Sequence, residues 1–408
     1  MVRDMLADET ARVNRHTRAM MTEYAAWGGR IRHDGTQLLT QGQLLEYANL
    51  RMETADGCLL LIENDRIADS LGLSRSLLEH YLLFMLMCRG ERCFQLRDLT
   101  AEKLSAEQFE DRLRREQIEL LELQLLGETD CIEVKPYPRA KDHLMYVFEG
   151  MKNEGEPAVV HPVHLVHFQE FRPESLRRKA GNFFQFHGHD FHGHDPEPRR
   201  AAAGGATPDA RRFQHYLTYD ALLHSLEMNR LIDAGATARI GAHDAFLGTF
   251  VHPTHDAVQD LHDRNTQRGA GTGIGLGSAY SKASKLLASL YVCHLVAGLL
   301  DEAASLVESA SPGYVTAPAT EDIRALTAQV SREFGYFWFL LNEPPLYDRF
   351  RYCVDHATPE EVQQWGGYEH VPAARVPFNP RIYANFQTPL NGIHADLYRY
   401  ESPLSGTR

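Results

Sequence analysis

Apolar residues recur at three- and four-residue spacing along much of the chain, which predicts a mainly α-helical protein. Ala101–Glu128 combines this spacing with strong helix formers and with opposite charges along one face. Ser74–Gly90 has a serine at its start, an apolar middle and a glycine at its end, so it predicts a buried helix. Helical patterns return at Arg211–Gly235, dominate Ser281–Ser309 and recur at Thr320–Glu343.

Extended structure is predicted near the middle of the chain, where Cys131–Pro138 and His143–Gly150 flank the turn-like segment Arg139–Asp142. These two segments can form a small hairpin, which is the most β structure that we expect. From Pro344 onward the prolines and an Asn-Pro step predict irregular structure. The apolar run Phe334–Leu341 predicts a helix of the core in preference to a pocket wall.

One long segment interrupts the helical patterns. Residues His187–Arg212 are rich in glycine, proline, alanine and charge and lack an apolar period, which predicts a long loop. We therefore expect a single mainly helical domain over residues 1–408, with a flexible excursion at 185–212. Two domains joined at that excursion are the alternative.

Charge and apolar content limit the classes of partner. The 42 basic and 55 acidic residues give a net charge of −13, which argues against a nucleic acid or an anionic membrane as a partner. Lys285–Leu300 is the longest apolar run, but it contains Lys285 and His294 and so predicts a buried helix in place of a membrane span. Residues 1–21 carry acids and arginines where a secretory signal needs apolar residues. The six cysteines form no Cys-x-x-Cys pair, and reduced thiols in the cytoplasm are the expectation.

A glycine ladder, defined here as Gly269–Gly277, places glycine at every second position directly before the helical pattern of Ser281–Ser309. The lysine of a Walker phosphate-binding loop is absent, and the third glycine of a dinucleotide-binding fingerprint is missing. Successive residues without Cβ let a backbone approach a ligand closely and turn its N–H groups toward an anion. The position before a helix favours a ligand-binding role, and a flexible connector is the alternative.

Three of the chain's 21 histidines lie shortly before this ladder, at His252, His255 and His262. Pro253 disfavours helix before it and Thr254 is a suitable N-cap, so a helix is predicted from His255 toward Gln267. His255 and His262 are seven residues apart, or about 10 Å along a helix, too far to bind one metal ion together. One of them can serve as a single axial ligand.

A histidine on a helix that precedes a glycine-rich Gly-Thr-Gly loop, followed by another helix, resembles the heme-dependent dioxygenase superfamily. This superfamily includes tryptophan and indoleamine 2,3-dioxygenases and the indole-rearranging enzyme of pyrrolnitrin biosynthesis. The matching segments are His255–Arg264 and Gly271–Tyr280, about a tenth of the chain, and the pyrrolnitrin branch is the more similar one. The resemblance implies a multi-helix bundle like that of the indoleamine and tryptophan dioxygenases.

The resemblance also implies roles for individual residues within the segment 252–300. His255 is the expected axial ligand to the iron of heme b, with His262 and His252 as alternates. Arg264 or Arg268 is expected to pair with a heme propionate or a substrate carboxylate. The residues expected to line the pocket are Gly271, Thr272, Gly273, Gly275 and Ser278. The implied activity is oxygenation of an indole-containing or other aromatic amino acid by O2, and a homodimer is an open possibility.

Two other histidine-rich segments offer a competing interpretation. His187–Asp195 holds four histidines and two aspartates, which suits a non-heme metal-dependent hydrolase, although a solvated loop is favoured there. His161–His167 spaces its histidines by three and is expected to be structural. No glutamate has a histidine three residues later, so the sequence lacks the di-iron Glu-x-x-His motif. A non-catalytic helical binding protein is the third alternative.

Overall fold

A computed structural model describes residues 5–33, 39–90, 92–96, 132–136, 219–252, 280–309, 315–316, 319–340 and 342–383, with positions 261 and 386 and scattered positions between 105 and 118. The chain divides into two compact units, one formed by Met1–Phe84 with Ala234–Arg408 and one by Met85–Asp233. The predicted excursion at 185–212 lies outside the described residues, and the single domain over 1–408 stays a prediction.

Helices dominate the described residues, which confirms the mainly α prediction. The elements in chain order are α1 (Met5–Gly28), β1 (Arg32–His33), α2 (Leu39–Glu63), α3 (Ile67–Arg89), β2 (Arg92–Leu96), β3 (Ile132–Pro136), α4 (Tyr219–Met228), α5 (Ala234–Val251), α6 (Lys282–Glu308), β4 (Val315–Thr316), α7 (Glu321–Glu333), α8 (Leu346–His356) and α9 (Pro359–Trp365). Two 3-10 turns follow, at Tyr368–His370 and Ala373–Arg375. The described positions of Ala101–Glu128 from Glu107 onward are helical, as predicted.

Helix α6 is the core of the first unit. Most of its 27 residues are buried, and it packs against α1, α2 and α7. Its sequence is apolar on all sides, which is the pattern of a helix surrounded by other elements. Among the described residues it is the one helix long and apolar enough to cross a bilayer, and 78% of its apolar window is buried inside the protein. The predicted buried helix over Lys285–Leu300 is therefore confirmed.

The contact of α3 with α6 depends on a glycine. A Cβ built on Gly298 would lie 2.5 Å from Cζ of Tyr81, closer than real Cβ atoms approach other atoms. The Tyr81 side chain is itself 7% exposed, so its ring has little room to move away. Gly298 therefore leaves room for the Tyr81 ring of α3 against α6.

Helix α3 begins earlier than predicted. It starts at Ile67, two residues after Asp65, which has a positive φ of 56°. Ser74 lies inside the helix, where its hydroxyl donates to the Ser70 carbonyl oxygen at 2.8 Å. The serine is thus bound to the preceding turn and does not cap a helix, so the predicted start at Ser74 was wrong.

The second unit contains the predicted strand, with a partner that the sequence did not indicate. Strand β3 (Ile132–Pro136) pairs antiparallel with β2 (Arg92–Leu96), with Phe94 opposite Val134, and α4 packs on β2. The small hairpin was predicted with His143–Gly150, which lies outside the described residues. In the first unit β1 pairs antiparallel with β4.

The C-terminal part of the first unit is more regular than predicted. From Pro344 the chain forms α8 and α9 before the 3-10 turns. Thr358 caps α9 by accepting a hydrogen bond from the Glu361 N–H, and the Glu361 carboxylate accepts one from the Thr358 N–H. Pro359 begins the helix, and Gly366 ends it with a φ of 81°. The prediction of irregular structure overlooked this capping box.

The described part of the aromatic run Phe334–Leu341, residues 334–340, is mostly buried, as predicted, but it is not helical. Helix α7 ends at Glu333, and Phe334 is its C-cap. Phe337, Trp338 and Phe339 follow in a turn and are each less than 5% exposed. The carboxamide of Asn342 holds the turn by donating to the Phe337 carbonyl and accepting from the Phe339 N–H.

Candidate functional site

The start of α6 is tied to the segment that was predicted to carry the axial histidine. Ser281 is the N-cap of α6, and its side chain accepts a hydrogen bond from the Ser284 N–H at 3.0 Å. The carbonyl oxygen of Leu261 accepts from the Ser281 N–H at 2.8 Å and from the Ser284 hydroxyl at 2.9 Å. Leu261 is completely buried. Position 261 is thereby fixed beside the first turn of α6.

A tyrosine from the C-terminal part completes this arrangement. The Tyr383 hydroxyl lies 3.1 Å from the Ser281 Oγ and 3.0 Å from the Ser284 Oγ, and the two serine oxygens are 2.7 Å apart. We call Leu261, Ser281, Ser284 and Tyr383 the loop base. Because three separate parts of the chain meet here, the loop base has a defined geometry that no single segment could maintain alone.

The loop base joins the two ends of residues 262–279. His262 directly follows Leu261, and Ser278 precedes Ser281 by three positions. The two described residues that flank this segment, Leu261 and Ser281, are joined by the hydrogen bond from the Ser281 N–H to the Leu261 carbonyl. The structure therefore places position 261, which belongs to the predicted ligand helix, against Ser281 and Ser284 at the start of α6.

Most of the predicted site residues fall within or beside this closed segment, outside the described residues. They are His255, His262, Arg264, Arg268, Gly271, Thr272, Gly273, Gly275 and Ser278. The alternate ligand His252 is described: it follows the end of α5, it is exposed, and its N–H donates to the Gly248 carbonyl at 3.1 Å.

A different histidine, His243 on α5, lies fully buried in the first unit. Its Nε2 is 3.2 Å from the carbonyl oxygen of Trp338, and its Nδ1 is 2.7 Å from the hydroxyl of Tyr291. A carbonyl only accepts, so Nε2 carries the proton and donates, and the Tyr291 hydroxyl donates to Nδ1. Burial lowers the pKa of His243 to about 3, so the ring is neutral at pH 7.

Aromatic rings enclose this histidine. The rings of Tyr291, Phe337, Phe339 and Phe378 lie with their centroids 4.9–5.8 Å from that of His243. We call these five residues the histidine chamber. Both ring nitrogens of His243 already have a partner in the protein, so this imidazole is not free to bind iron, and the chamber is part of the core.

Other described histidines in the first unit also bind to the protein. His294 Nε2 donates to the Phe334 carbonyl at 3.3 Å, and burial lowers the pKa of His294 to about 4. His16 Nε2 donates to the Leu326 carbonyl at 3.0 Å. Within the described part of the chain, no group of three or more His, Cys, Asp or Glu residues could hold a metal ion. The segments His187–Asp195 and His161–His167 lie outside that part.

The comparisons with known proteins give no relative. No family model, no curated protein and no solved structure matches this chain.

Sequence reasoning missed His243 and Tyr383, the two described residues that contribute most to these sites from outside α6. His243 was missed because α5 carries glycines at Gly235, Gly241 and Gly248, which weaken its helical pattern. Tyr383 gave no local signal, since its role depends on contacts with residues about a hundred positions earlier in the chain.

Proposed function

We propose that this protein is a heme-dependent oxygenase that acts on an indole-containing or other aromatic amino acid. The observation that supports the proposal most is the loop base, which holds Leu261, a residue of the predicted ligand helix, against the start of the helix that follows the glycine ladder in sequence. If His255 or His262 held the heme and the glycine ladder covered it, this contact would help to keep the two segments at a fixed distance.

The donor chemistry of the described residues fits this assignment. His243, His294 and His16 each bind a backbone carbonyl through a ring nitrogen. The three histidines that precede the ladder most closely in sequence are His252, His255 and His262. A neutral imidazole is a common axial donor to heme iron, and its second N–H needs an acceptor. Asp256, Gln259 and Asp260 supply such acceptors in the same segment.

In this proposal the chain orients the ligands and excludes water. His255 binds the iron of heme b, with His262 and His252 as alternates, and Arg264 or Arg268 pairs with a carboxylate. The residues that line the pocket are Gly271, Thr272, Gly273, Gly275 and Ser278. When bound, heme supplies the activation of O2 that a side chain cannot provide.

The proposal is tested by reconstituting the full chain with hemin, reducing it, and mixing it with air-saturated buffer and L-tryptophan. We expect a Soret band, and O2 uptake that requires both heme and the aromatic amino acid, with matching loss of the amino acid. Heme-free protein and L-leucine are the controls. Absence of heme binding, or uptake that is the same with L-leucine, would contradict the proposal.

A further inference from the structure

One arginine of the first unit has no counter-ion among the described residues, whereas comparable arginines do. Arg12, Arg18, Arg75 and Arg324 each contact a carboxylate of the protein. Arg51 on α2 is half-buried, and among the described residues it forms no ion pair with a carboxylate. Placing a guanidinium in a partly buried position without a neighbouring negative charge costs free energy.

The groups that do contact Arg51 carry no negative charge. Its Nη1 donates to Nδ1 of His80 on α3 at 2.5 Å, and the guanidinium lies over the ring of Tyr47 at 5.2 Å. Burial, with a smaller contribution from Arg51 itself, lowers the pKa of His80 to about 4, so the imidazole is neutral at pH 7. Burial also raises the pKa of the Tyr47 hydroxyl, which is therefore not ionised.

One edge of the guanidinium has no acceptor in the part of the chain that the structure describes. Nε of Arg51 is buried and has no hydrogen-bond partner among the described residues. The contact with His80 is made by Nη1, and Nη2 has no hydrogen bond among the described residues. Nε and Nη2 form the side of a guanidinium that binds both oxygens of a carboxylate. The arginine is also held in place by the His80 contact and by Tyr47, so little side-chain freedom would be lost on binding.

We propose that the Nε–Nη2 edge of Arg51, fixed between α2 and α3 by His80 and Tyr47, binds the carboxylate of a small ligand. This site is separate from the loop base and does not depend on the proposed heme chemistry. The carboxylate of the ligand would be the counter-ion that Arg51 lacks among the described residues.

The test measures binding and stability of the full chain in a buffer without carboxylates, with benzoate as the probe and benzamide as its neutral analogue. We expect benzoate to raise the unfolding temperature of the wild type and benzamide to leave it unchanged. Inorganic phosphate at equal concentration should bind more weakly than benzoate. Equal effects of benzoate and benzamide, no effect of benzoate, or tighter binding of phosphate would each overturn the carboxylate assignment.

The variant Arg51→Met separates a binding role from a structural one. Without ligand it should be at least as stable as the wild type, because an uncompensated charge is removed and the Ser76 hydroxyl, 3.4 Å from His80 Nδ1, can replace the lost donor. It should also lose the benzoate effect, with affinity lower by about 10- to 100-fold. A variant that is destabilised and still binds benzoate like the wild type would show that Arg51 is only structural.

Two further variants complete the design. Arg75→Met is the matched control, since Arg75 is paired with Asp244 at 3.1 Å; it should lose stability and keep benzoate binding. Arg51→Lys keeps the charge but not the planar fork, so it should fold even if Arg51→Met does not, with clearly weaker benzoate binding. Wild-type affinity in Arg51→Lys, or loss of binding in Arg75→Met, would contradict the assignment to Arg51.

Discussion

The histidine chamber and the loop base both contact α6, but they satisfy their polar groups in different ways. In the chamber, both nitrogens of His243 are bound deep in the core and surrounded by aromatic rings. In the loop base, hydroxyls and one carbonyl connect the described residues on either side of positions 262–279, which include most of the predicted site residues. A buried histidine with two protein partners serves the fold, whereas the proposed function assigns cofactor binding to His255, with His262 and His252 as alternates. The predictions below test this difference.

The largest effect is expected for His243→Ala. The substitution leaves a cavity and removes the partner of both the Tyr291 hydroxyl and the Trp338 carbonyl, so we expect a loss of about 3 kcal/mol or more in the free energy of unfolding. Urea unfolding measures it. His356→Ala, at the exposed end of α8, is the control and should change stability by less than about 0.5 kcal/mol. Equal effects of the two substitutions would contradict the structural role of the chamber.

Tyr291→Phe removes only the hydroxyl that donates to His243 Nδ1. The ring stays in place, but a buried acceptor loses its donor, so we expect a loss of about 1–3 kcal/mol, smaller than for His243→Ala. The two substitutions should also be non-additive, because they break the same hydrogen bond. A double variant whose loss equals the sum of the single losses would argue that the bond does not form.

The pH dependence of stability should reveal that His294 is neutral in the folded protein. The pKa of His294 is lowered to about 4 in the folded protein, so below the ordinary value of 6.5 the unfolded chain binds a proton that the folded chain does not. His294 therefore makes the wild type lose stability as pH falls from about 6.5 toward 4, by about 1.4 kcal/mol per pH unit. Against His294→Gln, measured by urea unfolding, the wild type should fall by this extra amount. Parallel pH profiles would contradict the lowered pKa.

The smallest change in stability is expected at the loop base. Ser284→Ala removes one donor to the Leu261 carbonyl, while the Ser281 N–H still donates, so we expect a loss of about 1 kcal/mol or less. If the loop binds heme, the affinity for hemin in an absorption titration should fall several-fold.

Ser289→Ala is the matched control for Ser284→Ala. Ser289 is a buried serine of α6 whose hydroxyl has no partner among the described residues. Hemin affinity should therefore be unchanged in Ser289→Ala. An equal fall in both variants would show that the loop base has no special role.

The sequence predicts elements well where the pattern and the cap agree. Ser281–Ser309 is apolar on every side and begins with a serine, and α6 occupies Lys282–Glu308 with Ser281 as its cap. The start of α3 was wrong because a serine inside a helix can bind the preceding turn as readily as it caps a helix. The run at Phe334 was predicted as a helix, since apolar content alone does not separate a helix from a buried turn.

The site was less predictable than the fold. The glycine ladder and its histidines are visible in the sequence, but the contact of Leu261 with Ser281 and Ser284 joins positions about twenty residues apart and depends on tertiary packing. The contribution of Tyr383 depends on packing over a still longer separation. The carboxylate site proposed at Arg51 could not be predicted from the sequence, because the absence of a carboxylate partner among the described residues is visible only in the structure.

The most direct test of the account is the visible absorption spectrum of the hemin-reconstituted chain and of His255→Ala, His262→Ala and His252→Ala, with His356→Ala as the control. The account predicts a Soret band in the wild type and in the control. One of the three substitutions alone should abolish the band, and that residue is then the axial ligand. No band in the wild type, or an unchanged band in all three variants, would contradict the account.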